Sequence, residues 1–260
     1  MARIYPLFSS SKGNAAYIGS PDAGILIDAG VSERRLSGAM QRCGLHPQAV
    51  QAVFITHDHS DHISGLRVFT KKYGVPVYAQ AITGEHLQND GHISEGSSLH
   101  ILTGDVSIAG MTVSAFATSH DTAQSCGYRI TMPNGVCCAV CTDLGIVTET
   151  VRNAVSGCKL VLLEANYDPG MLRSGCYPPP LKARIASDHG HLSNDDSAAF
   201  ARWLLQTGTT HFVLGHLSQE NNTPQLAENT VVSGLAGFVR GQDYLLHVAA
   251  PETDGRMIVF

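Results

Sequence analysis

No apolar run in this chain approaches the ~18 residues needed to cross a membrane. The opening residues, Met1-Ala2-Arg3-Ile4-Tyr5-Pro6, lack the apolar stretch of a secretory leader. Cytoplasm is therefore the expected location, with no membrane partner. There is no internal repeat and no long linker, so the 260 residues are read as one domain, 1–260, long enough to bury a sizeable core. A basic excess is also missing. The formal charge of −5 argues against indiscriminate nucleic-acid binding, although bound cations, uncounted in that figure, are often the largest local charges in a site. The seven cysteines are odd in number and scattered (Cys43, Cys126, Cys137, Cys138, Cys141, Cys158, Cys176). Cys138-x-x-Cys141 resembles half a zinc knuckle, but no second half stands at a suitable spacing and the pair falls within an apparent strand, so these thiols are read as small core residues.

What remains is an ordinary globular composition, 43% apolar with a mean hydropathy of +0.02. The first half reads mainly as strands: 2–8 and 14–18 around the polar turn 9–13, then 24–28, 49–56, 75–79, 111–117, and a hairpin of 127–132 and 136–141 turning at Asn134-Gly135. Helices are expected over 32–43 and 63–74. The second half alternates helix and strand: helix 148–156, strand 159–163, helix 194–205, strand 211–214, helix 224–238, and a closing strand 244–249. Tyr177-Pro178-Pro179-Pro180 is read as a local loop. Strand-rich halves that each carry helices predict an α/β architecture of two sheets packed face to face with helices outside.

Among 13 histidines, three fall within six residues: His57-Asp58-His59-Ser60-Asp61-His62. Histidines two apart at a strand end point the same way, so His57 and His59 can hold one cation, with Asp61 and His62 in reach of a second. Three more candidates stand where a buried strand gives way to a loop: His120, Asp143 and His216. Taken singly, each has a structural alternative, as a surface histidine or a turn-capping aspartate. No thiolate competes for these positions, and imidazole with carboxylate suits zinc, manganese or iron.

The ordered series His57-x-His59-x-Asp61-His62, His120, Asp143, His216 resembles the ligand series of the metallo-β-lactamase superfamily. Ser9-Ser10-Ser11-Lys12-Gly13-Asn14, Leu26-Ile27-Asp28-Ala29-Gly30, Glu164-Ala165-Asn166-Tyr167-Asp168, Gly190-His191-Leu192-Ser193-Asn194 and His216-Leu217-Ser218-Gln219-Glu220-Asn221-Asn222 resemble its YycJ (WalJ) subgroup. Lys12 departs from the small residue more usual there. The resemblance implies an αββα sandwich of two mixed sheets and a cytoplasmic phosphodiesterase with 5′→3′ DNA exonuclease activity. It also implies two divalent ions, zinc or manganese with iron as a further option. His57, His59 and His120 would hold the first, Asp61, His62 and His216 the second, and Asp143 would bridge them. A homodimer is a candidate assembly, because the superfamily often builds substrate clefts across dimers.

Two such cations activate a shared water for in-line attack on phosphorus, with Asp61 placed to accept its proton. His191 stands at the start of the 194–205 helix, where free amides attract a phosphate, and is the candidate proton donor to the departing oxygen. Ser193 is either a substrate contact or a helix cap. Ser11 and Asn14 offer hydroxyl and amide groups to a phosphate or simply make a turn, and Asn166 is a substrate contact or a turn stabiliser. Arg34, Arg35, Lys71, Lys72, Lys182 and Arg184 are candidates to line a cationic groove. His46, His86, His92, His100, His211 and His247 have no partner pattern and are read as structural. Alternatives to the nuclease are a small-molecule (cyclic) phosphodiesterase and an acyl hydrolase of thioester or lactone type. A non-catalytic binding scaffold is disfavoured because all seven ligand positions are filled.

Overall fold

The computed structural model describes residues 2–260. β1 (Arg3–Ser10) and β2 (Gly13–Gly19) form a hairpin that continues into β3 (Gly24–Ile27). Helix α1 (Glu33–Arg42) leads to β4 (Val50–Phe54), the single turn α2 (Ser60–Ile63) and α3 (Leu66–Tyr73) to β5 (Val77–Ala79), and α4 (Ala81–Asn89) to β6 (Leu99–Ile101). A meander follows of β7 (Val106–Ile108), β8 (Met111–Ala117), β9 (Cys126–Thr131) and β10 (Cys137–Cys141). Then come α5 (Glu149–Val155), β11 (Leu160–Glu164), α6 (Pro169–Ser174), α7 (Pro179–Ile185), α8 (Asn194–Gln206), β12 (His211–Gly215), α9 (Pro224–Gly234), β13 (Leu245–Val248) and β14 (Ile258–Val259).

The strands make two seven-stranded mixed sheets, in the orders β14-β1-β2-β3-β4-β5-β6 and β13-β12-β11-β10-β9-β8-β7. Each sheet is antiparallel towards one edge and parallel towards the other; β3 to β6 and β10 to β13 are the parallel stretches. Both faces of the central strands are covered, so they are apolar throughout rather than alternating with polar residues. In β11, Leu160 and Leu162 face the other sheet, while Val161 and Leu163 face the helices. The inter-sheet layer also takes Ile4, Ile27, Phe54, Tyr128 and Val213, and the two outer layers lie under α1 and α3 on one side and under α5, α8 and α9 on the other. Each fully buried side chain of this size contributes about 1.5–3 kcal/mol. The result is the expected αββα sandwich.

The expected elements form at or near their expected positions, with these corrections. Pro179 and Pro180 open α7 rather than a loop, since proline in a first helical turn loses no hydrogen bond. The last helix stops at Gly234, not Phe238. The chain does not close at 244–249: β14 returns to pair with β1, Arg3 opposite Val259. Helices α4 and α6 and strands β6 and β7 were not foreseen, the strands because three residues give no readable alternation. Five cysteines are core residues as expected, Cys126, Cys137, Cys138, Cys141 and Cys158, whereas Cys43 is half-buried and Cys176 is exposed; all seven are free. No helix among the described residues is long and apolar enough to cross a membrane.

Candidate metal centre

Five strands deliver side chains to one edge between the sheets: Asp28 after β3, His57 after β4, Asp143 after β10, Glu164 at the end of β11 and His216 after β12. This is where open α/β sheets commonly carry their sites. Among the described residues only four non-glycine positions have positive φ, and three of them are here: Asp28 (63°), Asp143 (60°) and His216 (55°). Aspartate and histidine tolerate that conformation better than most residues, at a cost of order 1–3 kcal/mol each that the surrounding contacts must offset. The turn after β3 also needs Gly30, where a Cβ would stand 1.7 Å from the Asp61 carbonyl oxygen.

The geometry brings together all seven residues of the expected series. His57, His59 and His120 form one group of converging donors; Asp61, His62 and His216 form another; Asp143 joins His57 and His62 in a third, each spanning no more than 4.8 Å. His120 Nε2 lies 3.3 Å from His59 Nδ1 and 3.7 Å from Asp143 Oδ1. His62 Nε2 lies 3.5 Å from both Asp143 Oδ2 and Asp61 Oδ2, and His216 Nδ1 lies 3.1 Å from Asp143 Oδ1. Asp143, buried, is thus the carboxylate that both groups share.

The ring orientations have identifiable causes. His57 Nδ1 contacts Thr56 Oγ1 (3.0 Å), whose own hydroxyl donates to Asp28 Oδ2 (2.9 Å). His62 Nδ1 donates to Asp28 Oδ2 (2.8 Å), and His120 Nδ1 donates to the Gly190 carbonyl (3.0 Å). Each tie fixes Nδ1 outward and leaves Nε2 facing the cluster, the arrangement that orients metal-binding imidazoles.

Electrostatics divide the two groups. Burial lowers the His57 and His120 pKa values, so both rings are neutral donors. Burial acts the same way on His62 and His216, but Asp143 and, for His62, Asp28 outweigh it and hold both well above the usual range. Burial would raise Asp143, yet His216 and His62 hold it well below the ordinary carboxylate range. Asp61 is likewise held down against burial by His216 and His62.

Do these residues fit divalent cations? His57 Nε2 and Asp143 Oδ2 are buried without any hydrogen-bond partner, both in the cluster. A buried polar atom left bare costs about 1–3 kcal/mol, so two aimed at one space point to a missing partner. The donors are imidazole nitrogens and carboxylate oxygens, which suit such ions. They fit.

Two carboxylates central to the site were not assigned from the sequence. Asp28 accepts from the Thr56 backbone N–H (2.8 Å) and from His62. Glu164, fully buried, accepts from the backbone N–H groups of Leu144 (3.1 Å) and Leu192 (3.3 Å), pairs with His191 Nδ1 (2.7 Å), and lies 3.2 Å from His216 Nδ1. Both end apolar runs, the same signal that singled out Asp143. His86 was read as partnerless, yet its Nδ1 lies 2.5 Å from Asp58 Oδ2, inside the histidine-rich segment.

The remaining candidates fall in distinct places. His191 lies at the mouth, its ring 5.0 Å from that of His120 and 5.2 Å from that of His216. Asn14 is beside the cluster, 3.2 Å from Asp61 Oδ2, and donates to the Ser10 carbonyl (3.0 Å). Ser11 sits exposed at the hairpin tip, while the neighbouring Ser9 hydroxyl accepts from the His216 N–H (2.8 Å). Asn166 is buried and donates to the His216 carbonyl (2.8 Å), a tie that braces the loop. Ser193 caps α8, accepting from the Asp196 N–H (3.1 Å) and donating to its carboxylate (2.6 Å). With Asp195 and Asp196 in its first turn, that helix start is unfavourable to a phosphate. Of the groove candidates, Arg35 pairs with Glu252, Lys72 with Glu33 and Arg184 with Asp121.

Comparison with known proteins agrees with this construction. The family described as the beta-lactamase superfamily domain matches residues 24–217. The chain is 35% identical over 250 residues to the exodeoxyribonuclease YycJ of Bacillus anthracis, covering 95% of this chain and 94% of that one. It is 36% identical over 253 residues to the exodeoxyribonuclease WalJ of Streptococcus pneumoniae serotype 2 (strain D39), with the same coverage. The crystal structure of the metallo-beta-lactamase fold protein YhfI from Bacillus subtilis superimposes with a TM-score of 0.75 over 100% of both chains at 13% identity, a likeness of fold. The chain belongs to the metallo-β-lactamase superfamily, within its YycJ-type group, and is a metal-dependent hydrolase.

Proposed function

We propose that this hydrolase is a dinuclear phosphodiesterase acting on nucleic acid, and specifically a 5′→3′ DNA exonuclease. The observation that carries the two-ion reading is Asp143: one buried carboxylate faces both the His57–His59–His120 group and the Asp61–His62–His216 group, with one oxygen left bare. The nucleic-acid reading is supported by the exodeoxyribonuclease names of relatives aligned over nearly their whole length. In this reading residues 1–260 work as one catalytic domain in the cytoplasm, with zinc or manganese.

Divalent cations held by these seven residues would lower the pKa of a water and offset charge growing on the phosphate oxygens. The protein's own groups then have separate tasks. Asp61, partly accessible beside His216 and His62, accepts the proton of the attacking water. His191 keeps Nδ1 on Glu164 and presents Nε2 to the departing oxygen, to which it gives its proton. Glu164 orients that ring through this bond, so its role is positioning. Asn14 steadies Asp61 from below.

One observation favours a second reading, hydrolysis of a small phosphodiester: three of the six candidate groove cations, Arg35, Lys72 and Arg184, are paired with carboxylates, which weakens the case for a long basic track. The test is metal-reconstituted protein with an Asp143→Ala control, offered 5′-phosphorylated linear DNA, bis-p-nitrophenyl phosphate and a thioester. Stepwise nucleotide release from the 5′ end, absent in the control, is the expected result. Cleavage of the small diester with intact DNA selects the second reading, and turnover of the thioester alone overturns both.

A further inference from the structure

The histidines of the first group come from different sheets. His57 and His59 follow β4 of one sheet, and His120 lies in the loop between β8 and β9 of the other. Their mutual spacing therefore depends on whatever joins those two loops. The His120 loop is closed at its base by Thr118 and Ser125: the Thr118 hydroxyl donates to the Ser125 hydroxyl (2.9 Å), which donates to the Thr118 carbonyl (3.0 Å). Helix α4 grips this loop at Gln124: the Ile82 N–H donates to its side-chain oxygen (2.8 Å) and the Thr83 hydroxyl to its carbonyl (2.8 Å). One turn further along α4, His86 Nδ1 donates to Asp58, which lies between His57 and His59 (2.5 Å). The helix itself is seated on the first sheet, where Gly84 packs so tightly that a Cβ would stand 2.4 Å from Ile101 Cδ1.

We propose that α4 is a strut that sets the spacing of the three-histidine group, with His86 as its positioning residue. Two physical effects follow from the His86–Asp58 contact. It fixes the backbone between His57 and His59, and so the angle at which both rings converge. It also keeps the Asp58 carboxylate occupied, which prevents it from turning inward to displace a histidine as a donor. Outer partners of metal-binding residues typically change affinity by 10–100-fold. Both side chains of this pair are partly exposed, 39% for His86 and 24% for Asp58, so the contact is not needed to fill the core.

This inference rests on the reading of His57, His59 and His120 as a cation-holding group, and the experiment separates the two. Zinc would be titrated against a chromophoric chelator in a His216→Ala background, which cripples the second group and leaves the first to be read. Adding His86→Ala is expected to weaken that site about tenfold. Adding His86→Gln instead, which retains an N–H donor, is expected to recover most of the affinity. The urea midpoint of the metal-free protein should stay unchanged in both. Affinity unchanged within about twofold by His86→Ala overturns the strut. So does a loss that the glutamine does not recover or that tracks a fall in the metal-free midpoint. Absence of any zinc site in both the wild type and this background overturns the underlying reading instead.

Discussion

The two donor groups that meet at Asp143 are built by different means. The Asp61–His62–His216 group is braced from within by buried carboxylates: Asp28 behind His62, and Glu164 beside His216. The His57–His59–His120 group has no buried acid of its own. It is held by the Gly190 carbonyl, the Thr56 hydroxyl and the partly exposed His86–Asp58 contact. One group is charge-compensated by buried acids; the other is spaced by its surroundings. A site of this kind is asymmetric even where its donors look equivalent in sequence, and substitutions should reveal which group each support serves.

Asp143→Ala should have the largest effect, because it removes the carboxylate that both groups share. We expect a fall in kcat/KM of at least about a thousandfold, roughly 4 kcal/mol of transition-state stabilisation, measured on whichever substrate the test above selects. His191→Ala tests the mouth rather than either group: kcat should fall by about 10²–10⁴ with KM and metal content little changed. Equal falls in kcat and metal content would instead place His191 among the cation-holding residues. Asp28→Asn sharpens the comparison, since asparagine tolerates the positive φ but removes the charge and turns one of the two acceptor oxygens that hold Thr56 and His62 into a donor. Affinity should drop about 10–100-fold at the Asp61–His62–His216 group, which Asp28 touches directly, and less at the other group, which it reaches only through the Thr56 hydroxyl, as read by chelator competition. Ser193→Ala should cost about 1 kcal/mol of stability as a lost helix cap, without altering KM. A raised KM would restore a substrate role for that hydroxyl.

The same contrast governs what could be read from the sequence. His57, His59, Asp61 and His62 were legible because a strand end and one short turn keep them adjacent. His120, Asp143 and His216 were legible as polar residues terminating apolar runs, and the ordered series then pointed to the fold. Asp28 and Glu164 carried that same signal and went unassigned, because a lone buried acid announces neither its partner nor its task. The His86–Asp58 contact carried none: the two lie 28 residues apart and meet only through the packing of α4 on its sheet. Conversely, Asn166 and Ser193 illustrate how a polar residue near a site can be fully engaged in bracing a loop or capping a helix. Short elements such as β14 were hidden because two residues cannot show a period.

Metal content per chain is the most direct readout of two donor groups sharing Asp143. Protein saturated with zinc and dialysed would be analysed for bound metal per chain, beside the His216→Ala variant treated identically. Two ions in the wild type and one in the variant is the result this account predicts. A wild type that retains one ion or none, or a variant that retains both, would contradict it.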